Sequence, residues 1–365
     1  MKKIILIILV CIGHQLPAQN INAYKTYNKQ FKVFDSGVFS IAEASQIDTF
    51  YLGYSYVAYI SNNSMLKMYW KKDVNTINEA AFVSKIKAMN GLFAYAMGQQ
   101  LKVIYNGVDT TLSGFCKRWD ASDSLVLYYD EALNMHYIYA NRHVFSLDDV
   151  IGSNLNLLDP VNASLGGNTF CYLNSFGKIR ALYNSTVYDL TDYTPGLLFE
   201  AGNNICVYNN VTLTKWKTFC NGYTSDLEVF QPLSYKLGIG MVAYVDNVSN
   251  FKVYYNDTLI TLLRQEPITY TVVDSTIEYS DNLKYWYIFQ GGKTTLVEKY
   301  IPKQIKVSNA TVAYIDYMGQ LKVFQNGVAK VISVEQVSDY SVNGNTVTYT
   351  LGANDVHFYW NGQKY

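Results

Sequence analysis

Charge is scarce and balanced: only 16% of the 365 residues are charged, and 29 basic side chains cancel 29 acidic ones. A nucleic-acid-binding surface carries a basic excess or a basic stripe, so that class is excluded. Histidine numbers only four, and His136, His143 and His357 stand at no metal-ligand spacing. There is no Cys-x-x-Cys, no Gly-x-Ser-x-Gly elbow, no His-Glu-x-x-His and no phosphate loop. The expectation is therefore a non-enzyme with no catalytic residues, no metal and no cofactor. Beyond the N-terminus no apolar run approaches the ~20 residues that cross a bilayer, so no transmembrane segment is expected in the mature chain. What is present argues for order. Apolar residues make up 49% and aromatics 15%, with 34 tyrosines, a composition that excludes disorder and favours strands.

The N-terminus reads as an address. Lys2-Lys3 precede an apolar run over residues 4–12, and Leu16-Pro17-Ala18 supply a small-residue exit, the order of a secretory signal peptide over residues 1–18. The run is too short for a retained anchor. Lipidation at Cys11 is the weaker reading, because Val10 stands where a small residue is wanted. Cleavage after Ala18 removes Lys2 and Lys3 and leaves a slight acidic excess. The mature chain, residues 19–365, is expected in the periplasm or outside the cell, in a bacterial envelope setting.

Internal repetition dominates the rest. Aligning units on the apolar residue that opens one recurring run gives Phe31, Leu66, Leu101, Met135, Ile179, Trp216, Phe251, Trp286, Leu321 and Val356. Successive spacings are 35, 35, 34, 44, 37, 35, 35, 35 and 35. A tyrosine precedes each: Tyr24, Tyr59, Tyr95, Tyr128, Tyr172, Tyr208, Tyr244, Tyr279, Tyr314 and Tyr349. Within a unit, a tyrosine run and the anchored run form a hairpin around a polar loop. Asn-Gly then follows at Asn106-Gly107, Asn221-Gly222, Asn326-Gly327 and Asn361-Gly362, the chemistry of a tight type I′ turn. Two further short runs complete four strands per 35 residues.

Such a sheet cannot cover both its apolar faces alone, so copies must pack face to face around an axis. The expected fold is all-β, a β-propeller of about ten short four-stranded antiparallel blades, forming one domain over residues 19–365. A β-solenoid is the rival, but its parallel strands do not suit chain-reversing Asn-Gly turns. The spacing of 44 could divide the units into rings of four and six; one ring with a long loop is the simpler arrangement. Both end units look one strand short. The grammar resembles periplasmic propellers of the Tol-Pal type (TolB-like), carried here by Tyr340-Ser341-Val342-Asn343-Gly344-Asn345 with Val347-Thr348-Tyr349, and by Phe324-Gln325-Asn326-Gly327. That family's Ser-Pro-Asp-Gly turn is absent from every unit.

The residues after the anchors are Lys32, Lys67, Lys102, His136, Arg180, Lys217, Lys252, Tyr287, Lys322 and His357. They are either a circle of positive charge or stems lying across neighbouring blades, with heads that meet acids; near-neutral charge favours the second. The recurrent tyrosines are expected to pack between blades. Asp130, Asp246, Asp281 and Asp316 recur in hairpin loops, as turn formers more than as a carboxylate pair for glycoside hydrolysis. Irregular aromatics near turns, Trp70, Trp119, Tyr223 and Tyr317, are the candidate surface contacts. If unit six takes the register of unit seven, Cys206 and Cys220 fall opposite each other and could form a disulfide. The long connection over residues 151–167 carries Leu155, Leu157, Leu158, Pro160 and Leu165, a candidate partner-binding loop if they are not tucked over the core. The functional expectation is a protein-binding scaffold docking on or covering an outer-membrane or secretion assembly. The alternative is an extracellular carbohydrate-binding protein or glycan hydrolase using loop aromatics and acids.

Overall fold

A computed structural model describes residues 21–147, 150, 157–159, 161–192, 198–210 and 214–365. The signal-peptide reading of residues 1–18 lies outside them. Ten antiparallel sheets follow one another along the chain, nine with four strands and the first with three among the described residues. We number them blades 1 to 10, over residues 21–43, 47–79, 83–113, 116–146, 163–189, 199–228, 234–263, 269–298, 303–333 and 337–364. Within each, strands pair in chain order, as consecutive hairpins require.

The turn chemistry explains the hairpins. Asn106, Asn221, Asn326 and Asn361 adopt φ near 50°, and the glycine after each is also at positive φ, the pair a type I′ turn demands. Each anchor opens, or stands second in, the third strand of its blade, as in Met65–Trp70 and Leu321–Gln325; in three-stranded blade 1 it opens the second strand, Phe31–Asp35. A β-bulge at this point recurs in the pairing of third with fourth strands, for example between Phe251 and Lys252 and between Leu321 and Lys322. Bulges add twist, which lets short blades pack like propeller vanes.

The core is a set of layers between blades. The residue before the recurrent tyrosine packs against the residue two before the tyrosine of the next blade: Ala23 with Val57, Ala58 with Phe93, Ala94 with Val126 and Ala243 with Ile277 share clusters. Each shared layer removes apolar surface that a lone sheet would expose, worth about 25 cal/mol per Å². The ring closes between blades 10 and 1. Phe34 stacks on Phe358 at 4.8 Å, Asn22 Nδ2 donates to Thr348 Oγ1 at 2.8 Å, and Asn343 Nδ2 donates to the Ile21 carbonyl at 2.9 Å. Blade 10 is completed by the two-residue strand Gln363–Lys364, so it is not a strand short.

Blade 4 departs from the aligned register. Tyr128 pairs with Tyr137, whereas Tyr59 pairs with Lys67 and Tyr314 with Lys322. His136 therefore occupies the buried anchor position, and Tyr137 takes the place assigned to His136. Tyr137 stacks on Tyr128 at 5.5 Å, as Tyr287 stacks on Tyr279 and His357 on Tyr349.

Candidate functional site

An antiparallel meander sends alternate turns to opposite ends. In four-stranded blades, turns between first and second strands and between third and fourth strands share one face, and hairpin tips between second and third strands share the other with the blade-to-blade connections. In blade 1 the equivalent tip joins its first two strands, Ile21–Lys25 and Phe31–Asp35. The two faces differ in chemistry.

The first face is polar. Around the central opening, turns of successive blades hydrogen-bond to one another: Tyr54 N donates to Asn90 O at 2.8 Å, Ser124 N to Gly167 O at 3.0 Å, and Asn204 N to Asn168 Oδ1 at 2.6 Å. Gly240 N donates to Asn203 O at 2.8 Å, and Asn309 N to Asp274 Oδ2 at 2.6 Å. Close approach requires glycine here. A Cβ on Gly166 would lie 2.0 Å from the Gly202 carbonyl oxygen, and one on Gly238 would lie 2.5 Å from that of Asp274. The belt surrounds a cavity of about 610 Å³ whose lining includes Tyr54, Tyr105, Asp123, Asn141, Asn184 and Asn309. Tyr54 of blade 2 reaches the Asp274 carboxylate of blade 8 at 3.4 and 3.5 Å. Burial raises the Asp123 carboxyl above its ordinary range, and the Asp274 charge adds to the shift.

The second face exposes apolar side chains. Hairpin tips present Tyr27, Leu133, Phe176, Val248, Leu283, Tyr317 and Met318, and the connections present Phe82, Phe115, Phe230, Leu233, Ile268 and Val334. Tyr317 is 76% exposed and Phe230 62% exposed. The tips are rigidly held. Asp316 Oδ1 accepts from Met318 N and Gln320 N at 2.9 Å, and Asp246 and Asp281 accept likewise within their own loops. Burial alone would raise Asp246, but hydrogen bonds from Asn250, Lys252 and Val248 hold it at about 2. The recurrent acids are thus turn formers, with one carboxylate oxygen of each committed to backbone amides of the loop. Outside the outermost strands of the blades, no large apolar side chain among the described residues is exposed on the polar face; at the turns there those strands open on the exposed Val38, Val108, Tyr223 and Val328.

The recurrent cations make no circle of free charge. Lys67 pairs with Glu43 at 2.6 Å, Lys252 with Glu228 at 2.6 Å, and Lys322 with Glu298 at 2.8 Å, each acid coming from the end of the preceding blade. Arg180 pairs with Asp189 at 2.7 Å within its blade. The tyrosines complete these contacts: Tyr244 donates to Glu228 at 2.9 Å and Tyr314 to Glu298 at 2.8 Å, while Tyr59 donates to the Ala42 carbonyl at 2.9 Å. Packing between blades, with most of the hydroxyls hydrogen-bonded, is what these tyrosines do.

Several expected site residues are not surface contacts. Trp119 is 4% exposed within the layer between blades 3 and 4, under the Lys85 ammonium at 4.3 Å. Trp70 is half-buried, its ring so close to Gly107 of the next blade that a Cβ there would lie 2.5 Å away. Tyr223 and Tyr317 are exposed as expected, but on opposite faces. In the long connection Leu157 is 2% exposed, and Leu158 and Leu165 pack against the same layer between blades 4 and 5. Leu157 is core, and Leu158 and Leu165 are partly buried against it; Leu155 and Pro160 lie outside the described residues. Cys206 and Cys220 form no disulfide. Ile205 is the residue opposite Cys220, and Cys206 stands opposite Phe219, so the two thiols point to opposite faces of the blade. The apolar face as a whole escaped sequence reasoning because its members belong to two different loop types; listing tip and connection residues by repeat position would have found it.

No group of three or more His, Cys, Asp or Glu among the described residues could hold a metal ion, and no helix there is long and apolar enough to cross a membrane. The ten sheets, their layered contacts and the closed seam define a ten-bladed propeller. The chain belongs to the 10-bladed beta propeller domain family, which it matches over residues 15–365. No curated protein matches it in sequence. Similar solved structures include the computationally designed Ika8 protein, at 10% identity and TM-score 0.33, covering 94% of this chain and 99% of that one. PorZ, a bacterial surface component of the type-IX secretion system of Porphyromonas gingivalis, is similar at 10% identity and TM-score 0.25, covering 95% of this chain and 59% of that one. The CRINKLY WD40 ectodomain of the Arabidopsis thaliana receptor kinase ACR4 is similar at 11% identity and TM-score 0.33, covering 65% and 91%.

Proposed function

We propose that the protein is an exported, non-enzymatic scaffold that binds another protein through its apolar face, docking on or covering an outer-membrane or secretion assembly. The observation that carries this reading is that, outside the outermost strands of the blades, the exposed large apolar side chains of the described residues sit on hairpin tips and connections at one face. Single exposed apolar residues are ordinary, but their recurrence around a ring of fixed tips is the pattern of a contact surface. Tip residues on Asp-braced loops lose little freedom on binding, which favours association. The signal-peptide grammar of residues 1–18 supports export, and the absence of nucleophile and metal motifs from the sequence supports a binding role.

The test is affinity capture from membranes with the wild type and with Phe230→Ser/Tyr317→Ser. The wild type is expected to retain a stoichiometric envelope protein; the variant is expected to lose it while melting at the same temperature. A wild type that stays partnerless, or a variant that retains the partner, overturns the reading. The cavity on the polar face, with its amides and Tyr105, favours a glycan ligand as the second reading. Binding or cleavage of a glycan by the partnerless monomer would establish it.

A further inference from the structure

Interfaces between blades meet at a recurring pair of positions: the residue before one tyrosine and the residue two before the next. At the seam these are Thr348 and Asn22, in direct contact at 2.8 Å. Across most other interfaces they are apolar, as with Ala94 and Val126 or Ala313 and Val347, whereas blade 8 places the buried Glu278 there. Between blades 5 and 6 they are Cys171 and Cys206. Both are free and fully buried in one layer, and each thiol lies in the other's electrostatic surroundings. Their strands, Thr169–Leu173 and Ile205–Asn210, approach within 8 Å at their α-carbons. The glycine contact of Gly166 with Gly202 draws the same two blades together beside them. Packing alone does not call for cysteine here, because alanine and valine fill the equivalent positions elsewhere in the ring.

We propose that Cys171 and Cys206 form an inter-blade disulfide that staples blade 5 to blade 6. One thiolate attacks the disulfide of a low-molecular-weight or protein oxidant, giving a mixed disulfide and releasing one reduced thiol. The second thiolate then attacks the mixed disulfide, forming the S–S bond and releasing the other thiol. Two protons and two electrons leave the cysteine pair, and the electrons reduce the oxidant. Burial raises the Cys171 thiol well above its ordinary range, so the thiolate is suppressed once the blades have closed. Exchange therefore belongs to the stage before blades 5 and 6 close. Only the cellular oxidant rests on the export reading; the juxtaposition of the two thiols does not.

The experiment is denaturation and refolding of the full chain with oxidised glutathione, then alkylation in denaturant and peptide mapping with and without reduction. The expected result is one cross-linked pair of peptides holding Cys171 and Cys206, lighter by two hydrogens than the separate thiol peptides, with Cys116 and Cys220 alkylated before reduction. Cys171→Ala/Cys206→Val, which installs the residue types of neighbouring interfaces, should fold and melt at a temperature indifferent to reductant. The oxidised wild type should lose several degrees on reduction. Alkylation of Cys171 and Cys206 without reduction, or a bond from either to Cys116 or Cys220, would overturn the proposal. A link in the refolded chain but free thiols in protein isolated from cells would count against export and leave the pair standing.

Discussion

Acid should weaken this propeller through a single histidine. His136 is 2% exposed, fills the anchor position of blade 4, and its Nε2 has no hydrogen-bond partner. Desolvation, with the nearby Arg118 guanidinium adding, lowers its pKa from 6.5 to about 4. Each pKa unit corresponds to about 1.4 kcal/mol, so protonation opposes the fold by about 3 kcal/mol in total. The folded-state pKa lies below the unfolded one. The stabilising contribution is therefore complete above pH 6.5, falls as pH drops towards 4, and is absent below that. At about pH 5 the loss should be about 2 kcal/mol relative to pH 7.5. Other groups titrate over this range, so the comparison is His136→Leu, which places at the anchor the residue found at Leu66, Leu101 and Leu321. Denaturant unfolding at both pH values should show the variant within about 1 kcal/mol of wild type at pH 7.5 and spared the additional ~2 kcal/mol at pH 5. An equal fall in both proteins would refute the assignment of the acid sensitivity to His136.

Gly166→Ala places a Cβ 2.0 Å from the Gly202 carbonyl oxygen, a backbone atom that cannot swing away. It should cost about 1–3 kcal/mol, read as a lower melting temperature, and an unchanged temperature would refute the close approach. Leu157→Ala should cost about 2–4 kcal/mol by opening a cavity between blades 4 and 5, yet leave partner capture intact once folded. Partner loss without loss of stability would return that leucine to the binding surface.

The architecture was legible because it is written as repetition. Ten tyrosines at a near-constant period announce ten units, and Asn-Gly announces the turn that reverses the chain. Register across the hairpin followed the aligned anchor in most blades but not in all. In blade 4 the apolar Met135 looked like the anchor, but pairing of Tyr128 with Tyr137 gives that place to His136. In blade 6 the pairing of Ile205 with Cys220 moved Cys206 to the opposite face, because a one-residue slip inverts a strand's side chains. The leucines of the long connection read as a surface excursion from their position between units; only the layer they fill shows Leu157 to be core.

By itself the sequence determined the unit, its four strands, its turn type and the number of copies, since these follow from local periodicity and from the φ angles that Asn and Gly tolerate. Tertiary structure decided what touches across blades: which acid neutralises which lysine, which cysteine meets which, and how the last blade closes on the first. It also decided that one face is polar and the other apolar. Such contacts join residues about one unit apart, or at the seam more than 300 residues apart, and their partners are fixed by how sheets stack in space, which no single strand's pattern encodes.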